Sequence, residues 1–144
     1  VRAYYNIHLA DNTRPYPSIS GLLAYIQSQG AKIAVASNKY QAATEMLVSK
    51  FFPDIRFCSI HGQRDGVARK PAPEVVFEIV EEAGARLSDV IYVGDSDVDM
   101  RTAANADVRA IGVTYGFCPA ETIVSFRPWK IASSADEILD ILRG

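Results

Sequence analysis

Three carboxylates, Asp95, Asp97 and Asp99, crowd a five-residue stretch directly after the apolar run Val90-Ile91-Tyr92-Val93 and Gly94. A spacing of four puts Asp95 and Asp99 on one side of a helical turn, whereas Asp97 is turned away from both. Carboxylates that close repel unless a cation neutralises them. Oxygen-only ligands suit Mg²⁺, which takes one or two carboxylates and keeps several waters. The same residues fit a solvated helix start, where Asp is favoured at the N-cap and in the first turn. Ser37-Asn38 closes another apolar run. Its hydroxyl and amide can donate to a phosphate beside a helix N-terminus, or simply cap that helix. Lys70 precedes Pro71-Ala72-Pro73. Pro71 biases it away from helical dihedrals, so its ammonium is a point charge on a stiff stalk, suited to a fixed anion. Taken alone, a solvated lysine is the simpler explanation.

The elements that must position these residues follow from apolar periodicity. Ile19, Leu22, Leu23 and Ile26 define a helix over 19–29, with Gly30 as its stop. Ile33–Ala36 is a short buried strand, and helical spacing resumes over 40–50. Phe57–Ile60 is a second strand. Val75, Val76, Ile79 and Val80 mark a helix that Pro73 starts. Val90–Val93 is the clearest strand, residues 97–106 are helical, and Val108–Val113 is a further strand. Ser134-Ala135-Asp136-Glu137 is a capping box before the apolar helix of Ile138, Leu139, Ile141 and Leu142. This alternation predicts an α/β fold, a Rossmann-like parallel sheet with helices on both faces. Ligands bind such sheets beyond the carboxyl ends of the strands, where Ser37-Asn38-Lys39, Gly94–Asp97 and Gly112-Val113-Thr114 fall.

Composition excludes several classes. The chain has 144 residues, 49% apolar and 22% charged, which suits one domain with a sizeable core and argues against disorder. A net charge of −2 leaves no footprint for nucleic acid or an anionic membrane surface. No apolar run approaches a membrane span. Cys58 and Cys118 stand 60 residues apart with no clustered His, so a zinc site is not expected, and the thiols suit a reducing cytoplasm. A P-loop and a G-x-S-x-G elbow are absent.

Taken in order, Ser/Asn after one strand, Lys before a helix and Gly-Asp-Ser-x-x-x-Asp after a later strand resemble the haloacid dehalogenase superfamily of phosphohydrolases. Asp11-Asn12-Thr13-Arg14-Pro15-Tyr16-Pro17, Gly66–Pro73 and Gly112-Val113-Thr114-Tyr115-Gly116-Phe117 look like the phosphoglycolate phosphatases within it. The resemblance implies an Mg²⁺-dependent phosphatase acting on a small phosphorylated metabolite through an aspartyl-phosphate. It implies that Ser37 and the adjacent backbone N–H, that of Asn38, hold the phosphate and that Lys70 bridges phosphate and nucleophile. Asp95 would ligate Mg²⁺, and Asp99 would support the metal's waters or orient Lys70.

The family's first motif, an Asp-x-Asp followed by Gly-Thr, is missing. The Asp-x-Asp pairs here, Asp95-Ser96-Asp97 and Asp97-Val98-Asp99, belong to the fourth motif. The expectation is therefore a haloacid dehalogenase-like core over residues 1–144 whose residues 1–10 end a cap helix. Its central N-terminal strand and nucleophile would be supplied by a missing N-terminal segment of the same protein. With that strand absent, the two flanking strands would carry unpaired edges, and Asp95 alone would bind Mg²⁺ weakly. A phosphate- or metal-binding module without catalysis is the alternative. A receiver-type signalling domain uses similar residues, but in the opposite order. No nucleic acid or membrane partner is expected. Without the cap, the substrate is not legible.

Overall fold

The structure, a computed structural model, describes residues 4–7 by their backbone and residues 19–116 and 118–144 in full. The motif residues Asp11–Pro17 and Phe117 lie outside the described residues. The described residues hold six strands: Tyr4–Ile7 (β1), Lys32–Tyr40 (β2), Phe57–Gln63 (β3), Val90–Gly94 (β4), Arg109–Val113 (β5) and Lys130–Ala132 (β6). The helices are Ile19–Ser28 (α1), Gln41–Phe51 (α2), Glu74–Ala83 (α3), Asp97–Ala106 (α4), Ala120–Ser125 (α5) and Ala135–Arg143 (α6), with a 3₁₀ turn at Leu87–Asp89.

Side chains alternate faces along a strand, and here the alternation divides the core in two. Ile33 and Val35 of β2, Ile91 and Val93 of β4, and Ile111 and Val113 of β5 join one apolar cluster. Their intervening neighbours Ala34, Ala36, Tyr92 and Ala110 join the other. A sheet buried on both faces needs helices on both. Leu22, Leu23 and Ile26 of α1 and Ile138 of α6 cover the first face. Val75, Val76 and Ile79 of α3 and Met100 and Ala103 of α4 cover the second. The sheet order is β3-β2-β1-β4-β5-β6, with every neighbouring pair parallel. This is the doubly wound order, in which the chain reverses its winding between β1 and β4 and leaves a crevice at their carboxyl ends.

The centre of that sheet differs from the expectation. Tyr4–Ile7 do not end a cap helix; they form β1, and the position between the strands at Ile33–Ala36 and Val90–Val93 is filled by this chain's own residues. Tyr4 pairs with Lys32 and Val90, and Asn6 with Ala34 and Tyr92. Two apolar strands present N–H and C=O groups that cost about 1–3 kcal/mol each if buried unpaired. A segment rich in Tyr and Ile readily extends to satisfy them. The remaining residues of 1–10 lie outside the described residues.

Elsewhere the helices over 97–106 and at the C-terminus form where the periodicity places them. Ser134 accepts the N–H of Glu137 at 3.1 Å, while Glu137 reaches back to the N–H of Ser133 rather than to that of Ser134. The two short elements α5 and β6 have no counterpart in the sequence reading. Their six and three residues span too little chain for a period to show.

Candidate functional site

Asp99 is the hub of the carboxyl edge. It lies in the first turn of α4 and is fully buried. Ser96 caps this helix by accepting the Asp99 N–H at 3.2 Å, and its own hydroxyl donates to Asp99 Oδ2 at 3.0 Å. The backbone N–H of Asp95 donates to the same oxygen at 3.2 Å. Asp99 Oδ1 accepts from Lys70 Nζ at 2.7 Å and from the Tyr92 hydroxyl at 2.8 Å. Four donors thus converge on one dry carboxylate, and charge-assisted bonds of this kind are the strong ones. Gly94 permits the approach, since a Cβ there would stand 2.3 Å from that of Asp99.

Lys70 is almost as buried, with its side chain 4% exposed. Its Nζ also donates to Ala36 O at 3.1 Å, at the end of the regular part of β2. Its backbone sits in a turn in which Ala72 N–H donates to Arg69 O, and the Lys70–Pro71 peptide bond is cis. The Asn38 side chain clasps this turn: Lys70 N–H donates to Oδ1 at 3.0 Å, and Nδ2 donates to Lys70 O at 3.1 Å. On the far side, Asn105 Nδ2 donates to Pro71 O at 2.9 Å.

Ser37, Asn38 and Lys39 fall where the β2–β3 ladder slips. Ala36 pairs with His61, and the next pair is Tyr40 with Gln63. The extra residues on β2 make a bulge, the device that re-aims side chains beside sites. Ser37 Oγ accepts the Lys39 N–H at 3.0 Å, so its hydroxyl proton remains for another acceptor. A shallow cleft opens here, lined in part by Ser37, Asn38, Arg64, Arg69 and Lys70.

Asp95 follows β4 and is fully buried. Its backbone carbonyl accepts the Cys118 N–H at 3.2 Å. Gly116 packs so close that a Cβ there would stand 2.4 Å from Asp95 Oδ2. Tyr115 lies close by, and burial, reinforced by the Asp95 charge, pushes its phenol up to about 12. A buried carboxylate with bare backbone against it fits one oxygen ligand of Mg²⁺ and does not fit zinc. Among the described residues no group of three or more His, Cys, Asp or Glu could hold a metal ion.

Ser37, Asn38, Lys70, Asp95 and Asp99 therefore all stand at the carboxyl edge. Lys70 and Asp95 are linked through Asp99, whereas Asn38 spends one donor and one acceptor on the backbone of Lys70. Asp97 stays apart, half-exposed, with Arg101 at 4.0 Å. The sequence reading passed over Tyr92. Burial, then the charge of Asp99, raises its phenol well above its ordinary value, so it remains a donor. A tyrosine among the small residues that share its face was the available signal.

Comparisons with known proteins agree with this geometry. The profile of the haloacid dehalogenase-like hydrolases matches residues 1–113. A phosphoglycolate phosphatase of Neisseria meningitidis is 32% identical over 144 residues, covering 97% of this chain and 61% of that protein. One from Mesorhizobium japonicum is 28% identical, covering 94% and 59%. A crystal structure from Haemophilus somnus, described as a predicted phosphoglycolate phosphatase, superposes with a TM-score of 0.82 at 27% identity, covering 90% of this chain and 57% of that one. The chain spans about three-fifths of the length of the curated relatives it matches. No helix among the described residues is long and apolar enough to cross a membrane. With four donors gathered on Asp99 at the crevice of a doubly wound sheet, and with this profile match over most of its length, the chain belongs to the haloacid dehalogenase-like hydrolases.

Proposed function

We propose that this chain is the core of an Mg²⁺-dependent cytoplasmic phosphatase that hydrolyses a small phosphomonoester of the phosphoglycolate kind through an aspartyl-phosphate. The observation that carries this reading is the link from Lys70 Nζ through Asp99 to the Asp95 N–H at the carboxyl edge. Lys70 gives two of its three ammonium hydrogens to Asp99 and Ala36, which leaves one for a phosphoryl oxygen. Ser37 donates its hydroxyl to the same phosphate. Asp99 holds Lys70 in place and keeps its charge balanced while the site is empty of substrate. Asp95 would hold Mg²⁺, which when bound supplies charge screening for the transferring phosphoryl group. Arg64 and Arg69 in the adjoining cleft suit an anionic leaving group.

The nucleophilic carboxylate comes, in this proposal, from a segment outside residues 1–144. Its strand would take the central position that Tyr4–Ile7 hold here. The test is phosphate release from phosphoglycolate by the polypeptide that includes the reading frame upstream of Val1. Mg²⁺-dependent turnover is expected. In Lys70→Met kcat should fall with KM little changed, because the charge that Lys70 balances grows at the transition state. Phosphate binding without turnover would make this a binding module instead.

A further inference from the structure

We infer that the Asn38 side chain is a positioning group for Lys70 rather than a phosphate ligand, whatever its backbone N–H does. The inference rests on the reading of Lys70 as the group that meets the phosphate. Lys70 cannot be placed by its own turn alone, because its ammonium must reach a buried carboxylate across a break between elements 29 residues from Asp99. Its head is anchored by Ala36 O and Asp99 Oδ1. Its backbone is anchored by one side chain, that of Asn38, which accepts from Lys70 N–H and donates to Lys70 O.

A primary amide is the group that mimics a strand neighbour, offering a donor and an acceptor at the spacing of a peptide. Aspartate keeps the acceptor and loses the donor, and alanine loses both. The β2 bulge at Ser37–Lys39 turns this amide toward the turn. The clasp therefore ties Lys70 at both ends to β2, the strand whose end also carries Ser37. Asn105 braces the same turn through Pro71 O from α4. Only Asn38 grips Lys70 itself by both backbone groups among the bonds described here.

The experiment is heteronuclear NMR of the protein and of its Asn38→Ala and Asn38→Asp variants. It follows the Lys70 backbone N–H, the Lys70 ammonium resonance, and the amides of β4 as a control for global stability. Losing two hydrogen bonds of ordinary strength should speed Lys70 amide exchange roughly ten-fold or more in Asn38→Ala. The Lys70 ammonium signal should broaden or be lost, while the β4 amides keep their protection. Asn38→Asp should fall between wild type and Asn38→Ala, because one of the two bonds survives. Unchanged Lys70 signals in either variant, accompanied by weaker binding of inorganic phosphate, would overturn the inference and make Asn38 a ligand. Loss of protection throughout β4, with the Lys70 signals following it in both variants, would overturn it in favour of a general structural role. These readouts need no turnover. Failure of the phosphatase assay would sink the proposed activity and leave the clasp to be judged by the spectra.

Discussion

Two carboxylates in this molecule gather a similar set of partners and sit in different places. Asp99 at the carboxyl edge accepts from Lys70, Tyr92, Ser96 and the N–H of Asp95 and is fully buried. Glu82 on α3 accepts from Ser59 at 2.7 Å and meets His61 Nε2 at 2.6 Å, and its side chain is 48% exposed. Each cluster contains a hydroxyl, a basic nitrogen and an acid. The Glu82 group flanks the sheet, binding edge strand β3 to the helix beside it, with water on its open side. The Asp99 group closes the crevice where the sheet reverses its winding, and water is excluded from the carboxylate. The lesson is that residue types do not mark a site; their position relative to the strand ends and their dryness do. Ser59, His61 and Glu82 also do not form a nucleophilic relay, because Ser59 donates to Glu82 and not to His61.

Breaking the two clusters should separate them by magnitude. Asp99→Leu strands the Lys70 ammonium in a dry site with Ala36 O, and removing one partner of a buried pair costs about 3–5 kcal/mol. Denaturant melts should show that loss. Tyr92→Phe removes one hydrogen bond to a charged acceptor, so about 1.5–3 kcal/mol is expected from the same melts. Gly94→Ala sharpens the comparison by steric means. The added Cβ must displace Asp99, and overpacking of this kind costs about 1–3 kcal/mol. The ammonium resonance of Lys70 should shift in that variant.

The smallest effect belongs to the flank. Glu82→Gln should cost under about 1 kcal/mol, since half-exposed pairs are screened by water and salt. The hydrogen bond from Ser59, then that from His61, holds the Glu82 carboxyl below its ordinary 4.5. A lowered folded value means that the stabilising contribution is complete above the unfolded value, near 4.5, and is lost as pH falls through the folded value. The difference between wild type and Glu82→Gln should therefore be visible at neutral pH and vanish in acid. A cost as large as that of Asp99→Leu would erase the distinction drawn here.

Much of this is legible in the sequence. The helix over 97–106 follows from Val98, Ala103 and Ala104, whereas the Ser96 cap emerged only in the structure. Ser37 and Asp95 could be placed at strand ends because short apolar runs end just before them, and Lys70 could be placed before a helix because prolines follow it. Asn38 was legible as a polar residue at the right place. Its task was not, since the Lys70 turn it holds lies 32 residues away in sequence. Tyr92 read as one more apolar strand residue, because a strand period says which face a side chain takes and not what its hydroxyl will meet.

The sequence by itself determined the alternation of strands and helices, the two-faced burial of the sheet and the residue types gathered at its carboxyl edge. All of these depend on periods of two and 3.6 residues and on local turn chemistry. Only the tertiary structure decided that Tyr4–Ile7 fill the centre of the sheet, that Asn38 grips Lys70 by its backbone and that Asp99, of its two expected roles, takes that of orienting Lys70. Those outcomes depend on the pairing demand of distant strand edges and on the hydrogen-bond demand of groups buried away from water. No local stretch of sequence carries either quantity, because each is set by which distant segments the fold brings together.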